Sequence, residues 1–133
     1  MLTTLAGLLL LTVTADLPTD ATEDQLIAGT IEALRPSIVE PGAASFRRTY
    51  FRVTHGMDGQ DHKGICGQVM QDDPRAAPGW TVFAAAVVDG QVMVMLGNRG
   101  LGNAAAFCTP GSGDRWDYDR DLSARFQAEL GRR

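Results

Sequence analysis

The sequence predicts an α+β domain: an N-terminal helix packed on a mainly antiparallel sheet of about four strands, with one disulfide and a C-terminal helix. Three observations predict it. Thr22-Glu23-Asp24-Gln25 has the S/T-x-x-Q pattern of a capping box, placed ahead of apolar residues at helical spacing. Aromatic, β-branched and apolar runs follow between Gly- and Pro-rich segments, and two of them are joined by Asp89-Gly90, the dipeptide of a two-residue type I′ hairpin. Cys66 and Cys108 are the 2 cysteines of the 133-residue chain, an even count that reads as one bridge in an exported protein.

The helix over 22–35 carries Leu26, Ile27, Ile31 and Leu34 on one side and places Glu23 and Asp24 in the first turn, where the helix dipole favours carboxylates. Pro36 stops it, and the linker 39–45 turns the chain toward a first strand, Phe46 to Val53, reading FRRTYFRV. Residues 55–64 contain three Gly and no apolar periodicity, so they read as a flexible hairpin loop before a second strand, Ile65 to Met70. A loop over 71–79 holds two Pro. The runs TVFAAAVV and QVMVML between Thr81 and Leu96 form the hairpin. Neither face of it is plainly polar, so something must cover each side: the 22–35 helix on one, and a C-terminal helix or a partner surface on the other. Ala84 to Ala86 would let a helix approach closely. Residues 104–108 read as a short helical turn ending at Pro110, and Asp117 to Leu130 returns to helical spacing, with Gly131 as C-cap.

Residues 1–15 predict an address. Leu5 to Val13 is too short to span a bilayer, and Val13-Thr14-Ala15 sets small side chains at the spacing a signal peptidase reads, giving a mature chain from Asp16. One domain is then expected over 16–133, its core about 22–110 and a C-terminal helical extension over 114–131. The expected location is periplasmic or secreted. No Cys lies near residue 15 to take a lipid anchor, so no stable membrane insertion is expected after processing. The formal net charge of -4 argues against general nucleic-acid binding. A bridge between Cys66 and Cys108, 42 positions apart, contributes about 4 kcal/mol in the chain-entropy account.

Ser45-Phe46-Arg47, Cys66-Gly67-Gln68-Val69 and Gly79-Trp80-Thr81 resemble a family of small, exported, uncharacterised proteobacterial proteins, whose pattern runs DP-x-SA-x-FR, then CG-x-VN, then GGY-x-G, then a second Cys. Here Glu40-Pro41 takes the DP position, Met70 the Asn, and Pro78-Gly79-Trp80 the Gly-Gly-Tyr. The resemblance covers about residues 31–108. It implies an α+β exported domain bridged from Cys66 to Cys108, and no activity.

Of the residues that could carry chemistry, Arg48, Tyr50 and Arg52 alternate on one strand face and could bind a carboxylate or phosphate. His55, Asp58, Asp61 and His62 lie within one loop and have the donor types of a divalent metal site, but none of its standard spacings. Asp117, Asp119 and Asp121 bias a helix start. Trp80 and Trp116 read as core or half-buried, and Met93 and Met95 as core. No catalytic triad, metalloprotease or phosphate-loop spacing occurs, and no cofactor is expected. The expectation is an exported, disulfide-bridged binding or accessory module of the cell envelope, with an unknown protein or an anionic envelope component as partner. One form is an inhibitor of an envelope-directed enzyme. The alternative is a small metal-dependent or hydrolytic periplasmic enzyme using the His55–His62 loop.

Overall fold

The computed structural model describes residues 22–55, 57–97, 103–110 and 114–132. The expected signal peptide, 1–15, lies outside the described residues. Thr22 accepts a hydrogen bond from the Gln25 amide at 3.2 Å while the Gln25 side chain accepts from the Thr22 amide at 2.9 Å, so the capping box starts helix α1, Glu23–Leu34. Leu26, Ile27, Thr30, Ile31 and Leu34 form its buried side. The buried Thr30 hydroxyl is satisfied by donating to the Leu26 carbonyl. Pro36 converts the end into the 3-10 turn Arg35–Ser37, as its ring and missing N–H require.

Strand β1, Ala44–His55, pairs antiparallel with β2, Asp61–Gln71; β2 pairs with β3, Trp80–Val88, and β3 with β4, Gln91–Leu96. Asp89 and Gly90 both have positive φ, 53° and 77°, as the I′ turn demands. After the short helix α2, Ala104–Phe107, the two-residue strand β5, Arg115–Trp116, pairs with Val53 and Arg52 of β1. The sheet order is β4-β3-β2-β1-β5. Helix α3, Ser123–Leu130, is capped by Gly131.

Several expectations change. Both first strands are longer than predicted, reaching His55 and starting from Asp61, so His55, Asp61 and His62 sit on strand ends. The C-terminal helix begins at Ser123 rather than Asp117, because residues 115–116 are claimed by the sheet edge. It also lies on the same face as α1 instead of the opposite one. Leu122, Phe126 and Leu130 join Leu26, Ile27, Ile31, Leu34, Phe46, Phe51, Ile65 and Phe83 in one core. Phe46, Phe83 and Phe126 meet there with ring centroids 5.3 to 6.0 Å apart. The Arg35 guanidinium donates to the last carbonyls of α3, those of Glu129 and Leu130, and so ties the two helix ends together with a cation at a C-terminus.

A bulge in β1 makes this core possible. Phe46 and Phe51 are five positions apart and would face opposite sides of a regular strand, yet both enter the core. The register shifts between Arg47 and Tyr50, and Arg48 takes φ 50°, inserting the extra residue that restores parity.

Candidate functional site

The other face of the sheet is covered by a strap made of α2, Cys108 and Trp116 of β5. Cys66 of β2 is bonded to Cys108 just after α2, and Ala84 of β3 packs against Ala104 in a cluster of small side chains flanked by Val82, Met95 and Trp116. Ala84 thus admits the close helix that its size predicts. Gly64 and Gly67 of β2 serve close approach too: a Cβ on Gly64 would sit 2.6 Å from the Ala85 carbonyl, and one on Gly67 2.5 Å from the Phe83 ring.

Arg48, Tyr50 and Arg52 do come to this face, but they do not form one exposed anion face. Arg52, 8% exposed, lies beneath the strap: it pairs with Asp114 at 2.7 Å, donates to the Phe107 carbonyl, and lies over the Phe107 and Trp116 rings. Its charge is neutralised within the chain, so Arg52 is a structural anchor. Arg48 is the opposite case. Arg35, Arg47, Arg52, Arg75, Arg115, Arg120, Arg125 and Arg132 each have a hydrogen-bond or ion-pair partner. Among the described residues the Arg48 guanidinium has none.

Arg48 stands at the mouth of a groove of about 320 Å³ whose floor is Cys66, Gly67 and Gln68 and whose walls are Val82, Ala105, Cys108, Trp116 and Tyr118. Trp116 and Tyr118 stack with an interplanar angle of 3° at 5.6 Å, and Tyr50 meets Tyr118 edge to face at 5.1 Å. On the near side Arg47 is held by Gln68 at 2.6 Å and lies 4.2 Å over the Trp80 ring. Trp80 and Trp116 are both half-buried, but Trp116 is a groove wall as well as packing. Among the described residues its buried Nε1 has no hydrogen-bond partner.

The bulge that presents Arg48 is locked from below. Asp121 accepts from the Thr49 amide at 3.3 Å and from the Ser123 amide at 2.9 Å, and the Leu122 amide donates to the Thr49 carbonyl at 2.7 Å. Burial raises the Asp121 pKa, but hydrogen bonds from Ser123, Thr49 and the Arg48 backbone outweigh it and leave the carboxyl below its ordinary value. Asp121 therefore braces the bulge as well as leading into α3. No pattern in the sequence marks that role, because Thr49, its partner in the bulge, is 72 positions away. The five-residue spacing of Phe46 and Phe51 was the available signal for the bulge itself.

At the hairpin tip the four candidate metal ligands form separate pairs. His55 contacts Asp61 at 3.1 Å and His62 contacts Asp58 at 3.0 Å, and Asp61 also receives Arg115 at 3.0 Å. The Asp58 carboxyl is held below its ordinary value by the Gln60 amide and His62, and that of Asp61 by His55 and Arg115. Among the described residues no group of three or more His, Cys, Asp or Glu is arranged to hold a metal ion. Met93, expected in the core, is 55% exposed because β4 is a sheet edge, whereas Met95 packs on the small-residue cluster. Among the described residues no helix is long and apolar enough to cross a membrane.

Compared with protein-family models, curated proteins and solved structures, the chain matches none of them. The geometry of the groove therefore carries the functional reading.

Proposed function

We propose that this chain is an exported, disulfide-bridged binding module of the cell envelope that recognises an anionic group on its partner through the groove beside Arg48. The observation that carries the reading is the Arg48 guanidinium, the one left unengaged among the described residues and held out by a braced bulge at the mouth of an aromatic groove. Holding a non-glycine residue at positive φ costs about 1 kcal/mol, and such conformations concentrate at functional positions. A carboxylate or phosphate would meet the Arg48 fork, while a flat or apolar neighbour would lie along Tyr118, Trp116 and the disulfide. The bridge and the Val-Thr-Ala cleavage pattern support export into an oxidising compartment.

Titration followed by amide and indole NMR tests this with three probes: phenyl phosphate, phenylacetate and inorganic phosphate. The ring-bearing anions should bind more tightly than inorganic phosphate, shift Arg48, Tyr118 and Trp116 together, and weaken as salt rises. Equal binding to Arg48→Gln, or shifts scattered over other arginines, would remove the groove from the reading.

A further inference from the structure

We propose that the free edge of β4 pairs antiparallel with the β4 edge of a second copy of this chain, joining the two sheets across a twofold axis. Hairpin geometry decides which groups face outward. Val88 and Gln91 flank the two-residue turn and exchange both backbone hydrogen bonds, and the alternation of an antiparallel ladder then directs Met93 and Met95 toward β3 as well. The bond from the Gly97 amide to the Val82 carbonyl, 2.8 Å, keeps the same parity. The N–H and C=O groups of Val92, Val94 and Leu96 therefore point away from the sheet. Among the described residues no backbone group takes them up.

Natural sheet edges are blunted by Lys, Pro, bulges or shortness. The opposite edge follows that rule, since β1 carries the bulge and is extended only by the two residues of β5. β4 does not: Gln91 to Leu96 runs without charge or Pro. Exposed apolar side chains gather along it, with Val88 at 50%, Met93 at 55% and Leu96 at 40%.

The register favours a second copy as occupant. Outward-facing residues must meet outward-facing residues, and the alignment that covers the whole edge is centred on Val94, setting Val92 opposite Leu96 of the other copy. Val92, Val94 and Leu96 of both copies then share the side covered by α1 and α3, and Met93 and Met95 of both share the strapped side. Each apolar set continues into its like. For a chain of net charge -4, an uncharged seam also lets two copies meet without like-charge contact. An edge of this length with its flanking side chains buries on the order of 1,000 Å², the low end of specific interfaces. Among the described residues the other edge is blunted by its bulge and its two-residue end strand, so assembly stops at two.

Sedimentation of the purified protein from about 1 to about 300 µM reads the association, and amide exchange reads the seam. The expected result is a monomer–dimer equilibrium in which the Val92, Val94 and Leu96 amides exchange more slowly at high concentration. Met93→Lys, at a half-exposed position, should weaken it at least about tenfold with an unchanged circular dichroism spectrum. Exchange at the wild-type edge amides keeps the test independent of how that variant folds. Monomer throughout the range, a dimer whose edge amides exchange as fast as the monomer's, or growth beyond two copies would each overturn the pairing. Edge protection appearing only when another protein is added would assign the edge to a different strand.

Discussion

The two faces of this sheet are held by different physics. Under α1 and α3 the layer is made of large apolar side chains, with Phe83 and Phe126 wholly buried, and it is stabilised by the area it removes from water. Under α2 and β5 the buried side chains are small, Cys66, Ala84 and Ala104, and the layer is held by discrete ties: a disulfide, the Arg52–Asp114 pair and two ladder positions of β5. Small side chains and point attachments leave the groove that Arg48 overlooks. Buried area thus holds the helical face, whereas the strapped face depends on a few specific ties and leaves the Arg48 guanidinium unengaged beside a groove.

Breaking the helical face should have the largest effect. Phe126→Ala removes a ring packed on Phe46 and Phe83 and should cost about 3 to 5 kcal/mol in denaturant unfolding. Replacing both cysteines with serine on the strapped face should cost up to about 4 kcal/mol, with the loss seen chiefly as faster exchange over 103–118. Arg52→Gln tests the second tie. Because it leaves the buried Asp114 carboxylate without its cation, it should cost about 3 kcal/mol, whereas a freely exposed arginine would cost about 0.5 kcal/mol or less.

Those contrasts also show which parts the sequence made legible. The α1 capping box, the Pro36 stop and the Asp89-Gly90 turn are local chemistry, complete within a few residues, and each stands where the residues place it. The side chosen by α3 was not legible, since Leu122, Phe126 and Leu130 give an amphipathic period but not the face it meets. Arg52 reads like Arg48 in the strand alternation. What separates them is Asp114, 62 positions on, and the strap that buries one and not the other. The groove is equally non-local, assembled from β1, β2, β3, α2 and the residues around β5.

A smaller effect belongs to the brace beneath the groove. Asp121→Asn should cost about 1 kcal/mol at neutral pH. Since hydrogen bonds hold the Asp121 carboxyl below its ordinary 3.8, its contribution is complete above that value and is lost as pH falls through the lowered one. The stability difference between wild type and variant should therefore be constant near neutrality and shrink below about pH 4. A difference that grows on acidification would assign the brace to another group.

The smallest change in stability, and the sharpest separation of the two roles, comes from Arg48→Gly. Glycine relieves the φ of 50° while deleting the guanidinium. Thermal unfolding and titration with phenyl phosphate, run on the same samples, measure both consequences. The account predicts a stability equal to or above that of wild type, by up to about 1 kcal/mol and seen as an equal or higher melting temperature, together with loss of phenyl phosphate binding. A variant that is clearly less stable yet binds the probe as wild type does would contradict it, and would make Arg48 a packing residue of the strapped face rather than its point of recognition.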